Sequence, residues 1–424
     1  MHVIVIGGGV VGVTTAWELC QDGHQVSLIE AGPDVAQATS FANGGQIAVT
    51  ESAPWSRPGL VKDYLRHLFR EKPYRLRLRA DPNQWKWLYQ FWQNSRPQAY
   101  QQGTIRNWHL AQYSLECLHM TRQKLGNEFH YDDRQNGILQ LFGPDYPLPS
   151  LREHYETLRG QGADIHWLEG ADLYQQEPAL RYAVETGLVR VALWGARDES
   201  GDAAQFTKKL ASAFQDAGGT VYLQNQAVGF HRENGILTAL EMTSPEANNL
   251  TLKADAFVIC AGTASQELVA PFGLRLPILP VKGYSLTVNI ENEAAAPQAS
   301  LTDLSHRLVI SRLGQRLRIA GYAEIGVAKG VNPHRINAIA ARMQALFPDV
   351  AQFAKGSAWS GLRPMTPDGA PIIDCAPDDE NLWLNTGHGS LGWTFSHGSA
   401  RLLADKLAQR TTEIDTTVFC LNRA

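Results

Sequence analysis

The pattern of apolar and polar positions predicts one parallel α/β layer that is assembled from three separated segments of the chain. Residues 1–6 form an apolar run typical of a buried strand, apolar residues at helical spacing follow at 13–21, and residues 25–30 predict a second strand. Together they form one βαβ unit. The later elements of the layer are predicted at 203–217 (helix), 220–224 and 256–261 (strands) and 382–385 (strand). A last helix follows the glycines at 387–389 and runs through 400–407.

The stretches between these segments have a different pattern, because apolar and polar residues alternate in the strands predicted at 283–289 and 308–310. They predict a second, mixed antiparallel sheet-and-helix domain that is inserted into a Rossmann-like α/β domain. We expect the nucleotide-binding domain to comprise 1–95, 196–272 and 355–424, and the inserted domain to comprise 96–195 and 273–354.

A dinucleotide fingerprint, G-x-G-x-x-G, occupies residues 7–12 between the first strand and the first helix. Gly7 is expected to make the tight turn, Gly9 to let the backbone approach a pyrophosphate, and Gly12 to let the helix pack on the strand. The helix N-terminus offers free N–H groups and a positive dipole end to phosphates. Glu30 ends the second strand, where it can accept hydrogen bonds from ribose hydroxyls and would repel a 2′-phosphate. The motif disfavours NADP but does not separate NAD from FAD.

A second glycine-rich turn from strand to helix, at residues 387–394, favours a flavin. An NAD dehydrogenase has no need for its C-terminal segment to return to the cofactor. Here the N–H groups and helix dipole can face the N1/C2=O edge of a reduced flavin and raise its electron affinity. The alternative is an ordinary loop with glycine caps.

Composition excludes several classes of function. The net charge of −4 gives no overall basis for nucleic-acid binding. Five cysteines without a C-x-x-C pair predict reduced thiols in a cytosolic protein, and thirteen histidines show no paired metal-ligand spacing. No G-x-S-x-G elbow follows a predicted strand, so the sequence does not support a serine hydrolase. The N-terminus enters a strand at once, which disfavours export, and no apolar run reaches the roughly 20 residues that span a bilayer.

Five sequence blocks, in order over nearly the whole chain, resemble the D-amino acid dehydrogenase small-subunit family within the wider glycine oxidase and D-amino acid oxidase group. The blocks are VIVIGGGVVGV at 3–13, Thr39-Ser40 with ANGGQI at 42–47, LPVKGYSLT at 279–287, GLRPMTPDG at 361–369 and LNTGHG at 384–389.

The resemblance implies non-covalent FAD, oxidative deamination of D-amino acids to 2-oxo acids and ammonia, and a quinone or dye as the electron acceptor. It also implies that the cofactor contacts are made by Gly7, Gly9, Val10, Val11, Gly12, Glu30, Ala31, Ser40, Asn43, Gly44, Gly45, Gln46, Val228, Ala261, Gly262, Gly361, Gly387, Gly389, Leu391, Gly392, Trp393 and Thr394.

Four residues are candidates for the substrate chemistry. Hydride transfer from an amino acid needs its carboxylate fixed, and Arg363 matches the arginine that does this in the resembling enzymes. Tyr284 matches an active-site tyrosine that bonds the carboxylate or closes over the substrate; the alternative is a half-buried strand residue that only packs. Lys282 lies near the flavin or on the solvent-facing side of the strand. His388 either places partial positive charge at the flavin edge or contributes only its backbone. No general base is assigned.

Residues 60–79 predict a basic amphipathic segment, with seven Lys or Arg against two acids from 62 to 79. Such a segment suits peripheral attachment to the inner face of a cytoplasmic membrane, with Trp85, Trp87 and Trp92 at the interface. The alternative is a helix packed on the protein with a solvated basic rim.

Three competing functions remain open at this point: a glycine-oxidase-like enzyme, a D-proline or hydroxyproline dehydrogenase, and a flavin electron-carrier subunit with no substrate of its own. The sequence gives no prediction for the substrate side chain or the oligomeric state.

Overall fold

A computed structural model describes residues 1–59, 74–246, 250–328 and 330–423. Its α-helices are α1 Val10–Gln21, α2 Pro82–Asn94, α3 Pro97–Leu125, α4 Leu148–Gly160, α5 Ala171–Gln176, α6 Arg181–Glu185, α7 Ala203–Asp216, α8 Ser265–Val269, α9 Pro333–Leu346 and α10 Gly392–Leu407. Its strands are β1 His2–Ile6, β2 Gln25–Ile29, β3 Gln46–Ile47, β4 Tyr74–Leu76, β5 Ile138–Phe142, β6 Ile165–Glu169, β7 Val191–Gly195, β8 Glu199–Ser200, β9 Thr220–Tyr222, β10 Gln226–Glu233, β11 Ile236–Thr243, β12 Leu250–Lys253, β13 Ala256–Ile259, β14 Leu279–Asn289, β15 Ser300–Asp303, β16 Leu308–Leu313, β17 Arg316–Ile325, β18 Ser357–Met365, β19 Ile372–Ala376 and β20 Asp379–Thr386.

The first layer is a sheet in the order β19-β20-β13-β1-β2-β9, parallel throughout except for the antiparallel pair of β19 and β20. Both of its faces are covered. Val3 and Val5 pack into the core formed with α1, α7 and α10, whereas Ile4 and Ile6 pack under the three-stranded sheet β10-β11-β12. This burial on both faces explains why residues 3–6 of β1 are all apolar.

The second layer is a mixed sheet in the order β18-β14-β17-β16-β15-β5-β7-β6, with β4 paired to β17. Alternate residues of its strands face opposite sides. Leu301, Ile310 and Ile319 pack in a core that includes residues of α9. Thr302 and Val309 lie on the other face and line a large cavity. The predicted architecture, a Rossmann-like layer with an additional sheet-and-helix domain, is confirmed.

Two elements contact the layer opposite to the one in which the predicted boundaries place them. The helix α3 packs along α10 and contributes Trp108 and Leu115 to the core of the parallel layer. The strand β18 pairs with β14 in the mixed sheet. The domain boundaries themselves stay a prediction.

The helix α1 begins earlier than predicted, at Val10 rather than residue 13, whereas α10 begins at Gly392, within the predicted turn at 387–394. The glycines enter the first helical turn instead of preceding it. In the described part of the chain, no helix is both long and apolar enough to cross a bilayer.

Candidate active site

A cavity of about 2540 Å³ lies where the carboxyl ends of the parallel strands face the mixed sheet. Drug-sized ligand pockets are on the order of 300–1,000 Å³, so this cavity has room for a dinucleotide and a substrate. All the predicted site residues line it except Gly12, which lies behind the glycine turn, and Lys282. Their individual roles stay predictions, but the structure brings the two distant glycine turns and Arg363 to one space.

The turn at residues 7–12 is closed around its glycines. Gly7 has a φ of +116°, and a Cβ at Gly12 would overlap the carbonyl oxygen of Gly7. Gly9 is different, because a Cβ there would lie 3.5 Å from Ser40 Oγ, an ordinary contact. The protein itself therefore requires Gly7 and Gly12, whereas a requirement for Gly9 would have to come from a bound ligand.

The N-terminus of α1 is open to an anion. Its N-cap, Gly9, makes no side-chain cap, and the first turn carries no acidic residue. The Val10 N–H donates to Ser40 Oγ at 3.0 Å. The dipole and N–H groups of α1 are thus available to a phosphate at the cavity wall.

Glu30 is held at the end of β2 by two backbone donors. Gly8 N–H and Gly32 N–H each donate to its carboxylate at 2.6 Å. A carboxylate has about four acceptor positions, so capacity remains for ribose hydroxyls. The geometry is compatible with the predicted ribose contact.

The loop around residues 43–48 joins the two glycine turns. Gly45 N–H donates to Asn43 Oδ1 at 3.0 Å, and Ala48 N–H donates to Thr394 Oγ1 at 3.1 Å. The Gln46 amide donates to Ser300 Oγ at 2.9 Å, so its side chain is anchored to β15. The N-terminus of α10, like that of α1, has no side-chain cap and no acidic residue in its first turn.

His388 turns its ring into the protein. Its Nε2 lies 2.9 Å from Ser399 Oγ on α10, and burial lowers its pKa to about 3. A neutral imidazole that bonds Ser399 supplies no positive charge to the cavity. The geometry therefore favours the backbone role of His388 over the charged role.

Arg363 presents a guanidinium that has no carboxylate partner among the described residues. Its Nη1 donates to the Tyr322 carbonyl at 2.9 Å, and the group lies 5.6 Å from the ring centroid of Trp55. Gly283 permits this position, because a Cβ there would overlap the guanidinium. Burial lowers the pKa of Arg363 to about 10, and no charged group of the described chain offsets that effect. Its remaining donors suit a carboxylate ligand.

Tyr284 is buried on β14, and its hydroxyl donates to Glu324 Oε2 at 2.6 Å. Burial, followed by the bond and charge of Glu324, raises the pKa of Tyr284. Arg335 Nε donates to the other oxygen of Glu324 at 2.9 Å. Since the hydroxyl proton is engaged, the oxygen of Tyr284 is better suited to accept than to donate. Lys282 lies outside the cavity wall, with Nζ 2.8 Å from the Ala328 carbonyl.

Several polar or aromatic residues of the wall were not among the sequence predictions, and three of them are Glu51, Trp55 and Arg307. Glu51 and Trp55 follow the ANGGQI block within a few residues, which is a usable signal. Arg307 precedes β16 without any motif, and only the fold brings it to the cavity.

Comparisons with known proteins agree with this geometry. Residues 2–406 match the family model described as FAD dependent oxidoreductase. A protein of Cereibacter sphaeroides named D-amino acid dehydrogenase is 39% identical over 100% of this chain and 95% of its own length. The chain belongs to the FAD-dependent oxidoreductase family.

Solved structures share the fold. Glycine oxidase from Geobacillus kaustophilus superposes with a TM-score of 0.77 at 22% identity, covering 100% of this chain and 98% of that protein. An L-amino acid deaminase from Proteus vulgaris, solved without its specific insertion sequence, gives a TM-score of 0.70 at 21% identity, with 100% and 93% coverage. At these identities the likeness concerns the fold alone.

FAD is the cofactor of this family, and the residues present fit it. The cavity has two uncapped helix N-termini and two glycine turns, as a bound dinucleotide requires. In the described ranges, no group of three or more His, Cys, Asp or Glu is placed to hold a metal ion.

Proposed function

We propose that the chain is a D-amino acid dehydrogenase that binds FAD non-covalently, oxidises a D-amino acid and passes the electrons to a quinone-like acceptor. The observation that carries the proposal is the Arg363 guanidinium, which lines the cavity and has no anionic partner in the part of the chain that the structure describes. FAD, when bound, supplies the acceptor for the Cα hydrogen as a hydride. The amine loses a proton, and water hydrolyses the resulting imino acid to a 2-oxo acid and ammonia.

The residues of this chain orient the substrate. Arg363 holds the carboxylate by two charge-assisted hydrogen bonds, since its planar fork matches the two oxygens. Tyr284, whose hydroxyl donates a hydrogen bond to Glu324, accepts a hydrogen bond from the substrate amine. Trp55 covers Arg363 and excludes water from that side. Fixing the substrate in this way holds its Cα–H in a reactive geometry, which lowers the entropic part of the activation barrier.

The Arg363 clamp also separates this proposal from an electron-carrier subunit. A carrier has no need for a carboxylate-binding group that is desolvated at the flavin cavity. Burying a guanidinium away from water without a partner costs desolvation free energy. A substrate carboxylate that binds Arg363 offsets this cost.

Stereochemistry is proposed from the curated relatives, because the fold is shared with a protein named L-amino acid deaminase. The test is anaerobic mixing of the holoenzyme with matched D- and L-amino acids, glycine and D-proline, while the flavin absorption is recorded. Bleaching by D-amino acids but not by their L-isomers supports the proposal. Bleaching by glycine or D-proline alone would instead select one of the competing enzymes, and no bleaching by any of them would select the carrier.

We further propose that the protein attaches peripherally to the inner face of a cytoplasmic membrane. Residues 60–73 of the basic segment lie outside the described residues. Next to them, Trp85 and Trp92 are each 50% exposed on α2, as an interfacial site requires. Trp87 does not share this exposure, because it is buried and donates to the Met365 carbonyl at 2.9 Å. Binding to anionic liposomes that weakens when Arg66 and Arg70 are reversed in charge supports attachment, and no binding by the wild type excludes it.

A further inference from the structure

A second guanidinium, that of Arg307, lines the same cavity without a hydrogen-bond or ion-pair partner in the described chain. It lies 6.0 Å from the ring centroid of Tyr74. The ionisable groups that face it are Tyr74, Tyr146, Glu51 and Tyr100. An arginine with unused donors at a cavity wall is suited to a ligand that accepts hydrogen bonds.

Glu51 supplies the complementary acceptor. Its Oε2 is enclosed and has no hydrogen-bond partner among the described residues. Burial raises its pKa to about 7, while a hydrogen bond from Thr302 and the charge of Arg307 oppose that rise. Glu51 and Arg307 interact electrostatically without forming an ion pair, so a gap separates a donor group from an acceptor group.

This gap and the predicted carboxylate clamp belong to the same cavity. Arg363 donates to the carbonyl of Tyr322 on β17. The Arg307 carbonyl oxygen would lie 2.5 Å from a Cβ at Gly321, the preceding residue of the same strand. The backbone at Arg307 therefore lies next to the part of β17 to which Arg363 is bonded, and both side chains line the same cavity. A substrate whose carboxylate is bound by Arg363 would lie in the cavity that Arg307 and Glu51 also line, so its side chain can extend toward them.

We propose that Arg307 and Glu51 form a side-chain subsite for the terminal carboxamide of a D-amino acid such as D-asparagine or D-glutamine, a proposal that rests on the function proposed above. The carboxamide oxygen accepts from Arg307, and its NH₂ group donates to Glu51. An apolar side chain leaves both groups without partners, which is unfavourable in a desolvated site. A carboxylate side chain is repelled by the negative charge of Glu51, and a cationic side chain is repelled by the positive charge of Arg307. Both kinds of substrate are therefore disfavoured.

The test measures kcat/KM of the holoenzyme with a dye acceptor for pairs of similar size: D-asparagine against D-leucine, and D-glutamine against D-methionine. We expect the carboxamide to be preferred by about ten-fold or more in at least one pair, as for one hydrogen bond to a charged group. Arg307→Met should remove about ten-fold of that preference. Glu51→Gln, which can donate to a carboxylate, should lower the ratio of D-glutamine to D-glutamate by a similar factor.

Arg190→Met is the matched control, because Arg190 is exposed, and its ratios should stay within about two-fold of the wild type. If Arg307→Met does not fold, the kcat/KM ratios of the wild type and of the isosteric Glu51→Gln variant still test the subsite. Equal use of apolar and carboxamide substrates, or a preference for D-lysine or D-arginine, would overturn the subsite. If D-alanine reduces the flavin but carboxamide and apolar substrates have equal kcat/KM, the subsite proposal is wrong and the proposed dehydrogenase activity stands. If no D-amino acid reduces it, both proposals fail.

Discussion

Arg363 is the residue whose replacement should cost the proposed activity most. Truncating one partner of a desolvated charge pair costs about 2–5 kcal/mol, so Arg363→Ala should lower kcat/KM for a D-amino acid by about 30-fold to several thousand-fold. KM should rise and kcat should fall, because a misplaced substrate loses its reactive geometry. Arg363→Lys keeps the charge without the fork and should recover only part of the loss.

Steady-state kinetics of the three proteins, each with its flavin spectrum recorded, checks this expectation. The spectrum controls for loss of the cofactor. Kinetics of Arg363→Ala that match the wild type, with flavin retained, would remove Arg363 from the substrate site.

Among individual residues, the sequence predicts those that belong to a motif but not those that only the fold brings together. Gly7, Gly12 and Arg363 were predicted because each belongs to a contiguous block. Glu324, which binds the Tyr284 hydroxyl, is 40 residues further along the chain on a neighbouring strand, and nothing local marks the pair. The side chain of His388 was equally unpredictable, because its direction depends on the packing of Ser399.

The helix α10 contains a buried histidine that should make folding sensitive to acid. Burial, assisted by the charge of Arg122, lowers the pKa of His397 from 6.5 to about 3. Between these values the unfolded chain binds a proton that the folded chain does not. The stability contributed above pH 6.5 is therefore lost as the pH falls, by about 2 kcal/mol at pH 5.

His397→Leu removes this titration and also the Nε2 atom, which has no hydrogen-bond partner in the described chain. Between pH 8 and pH 5, the free energy of unfolding should fall by about 2 kcal/mol less in this variant than in the wild type. Denaturant titrations at both pH values measure the difference. His130→Leu is the control, since that ring is exposed. Parallel pH dependences of His397→Leu and the wild type would contradict the expectation.

The elements themselves were predicted well where a whole face or both faces of an element are buried. Strands β1 and β13 and helix α7 agree with their predicted ranges to within about two residues, because their apolar patterns are unambiguous. The start of α1 was predicted late, because glycine is a poor helix former and its place in a first turn is fixed by packing and by the ligand site.

For the whole molecule, the two-layer architecture was predictable, but the path of the second sheet was not. The parallel pair of β5 and β15 joins residues near 138 to residues near 300, and β4 joins the sheet at β17. Pairings over such sequence distances leave no local signal. The same limitation explains why α3 was assigned to the inserted domain although it packs on α10.

The cofactor should stabilise the whole molecule, since its cavity is lined by both layers. A ligand that binds only the folded state adds about 2.7 kcal/mol at a concentration of 100 times its Kd. This gain depends on the position of α1, and a Cβ at Gly12 would overlap the Gly7 carbonyl oxygen and push the helix from β1. Gly12→Ala should therefore bind FAD more weakly and gain less stability from the same FAD concentration.

Thermal unfolding of the apoprotein with increasing FAD measures that gain for each variant. Gly160→Ala is the matched control, because no atom lies within 4 Å of the added Cβ and its gain should equal that of the wild type. Comparing gains rather than absolute stabilities matters, since Gly12→Ala also strains the apoprotein. An undiminished gain in Gly12→Ala would mean that FAD binding does not depend on the close contact of α1 with the glycine turn.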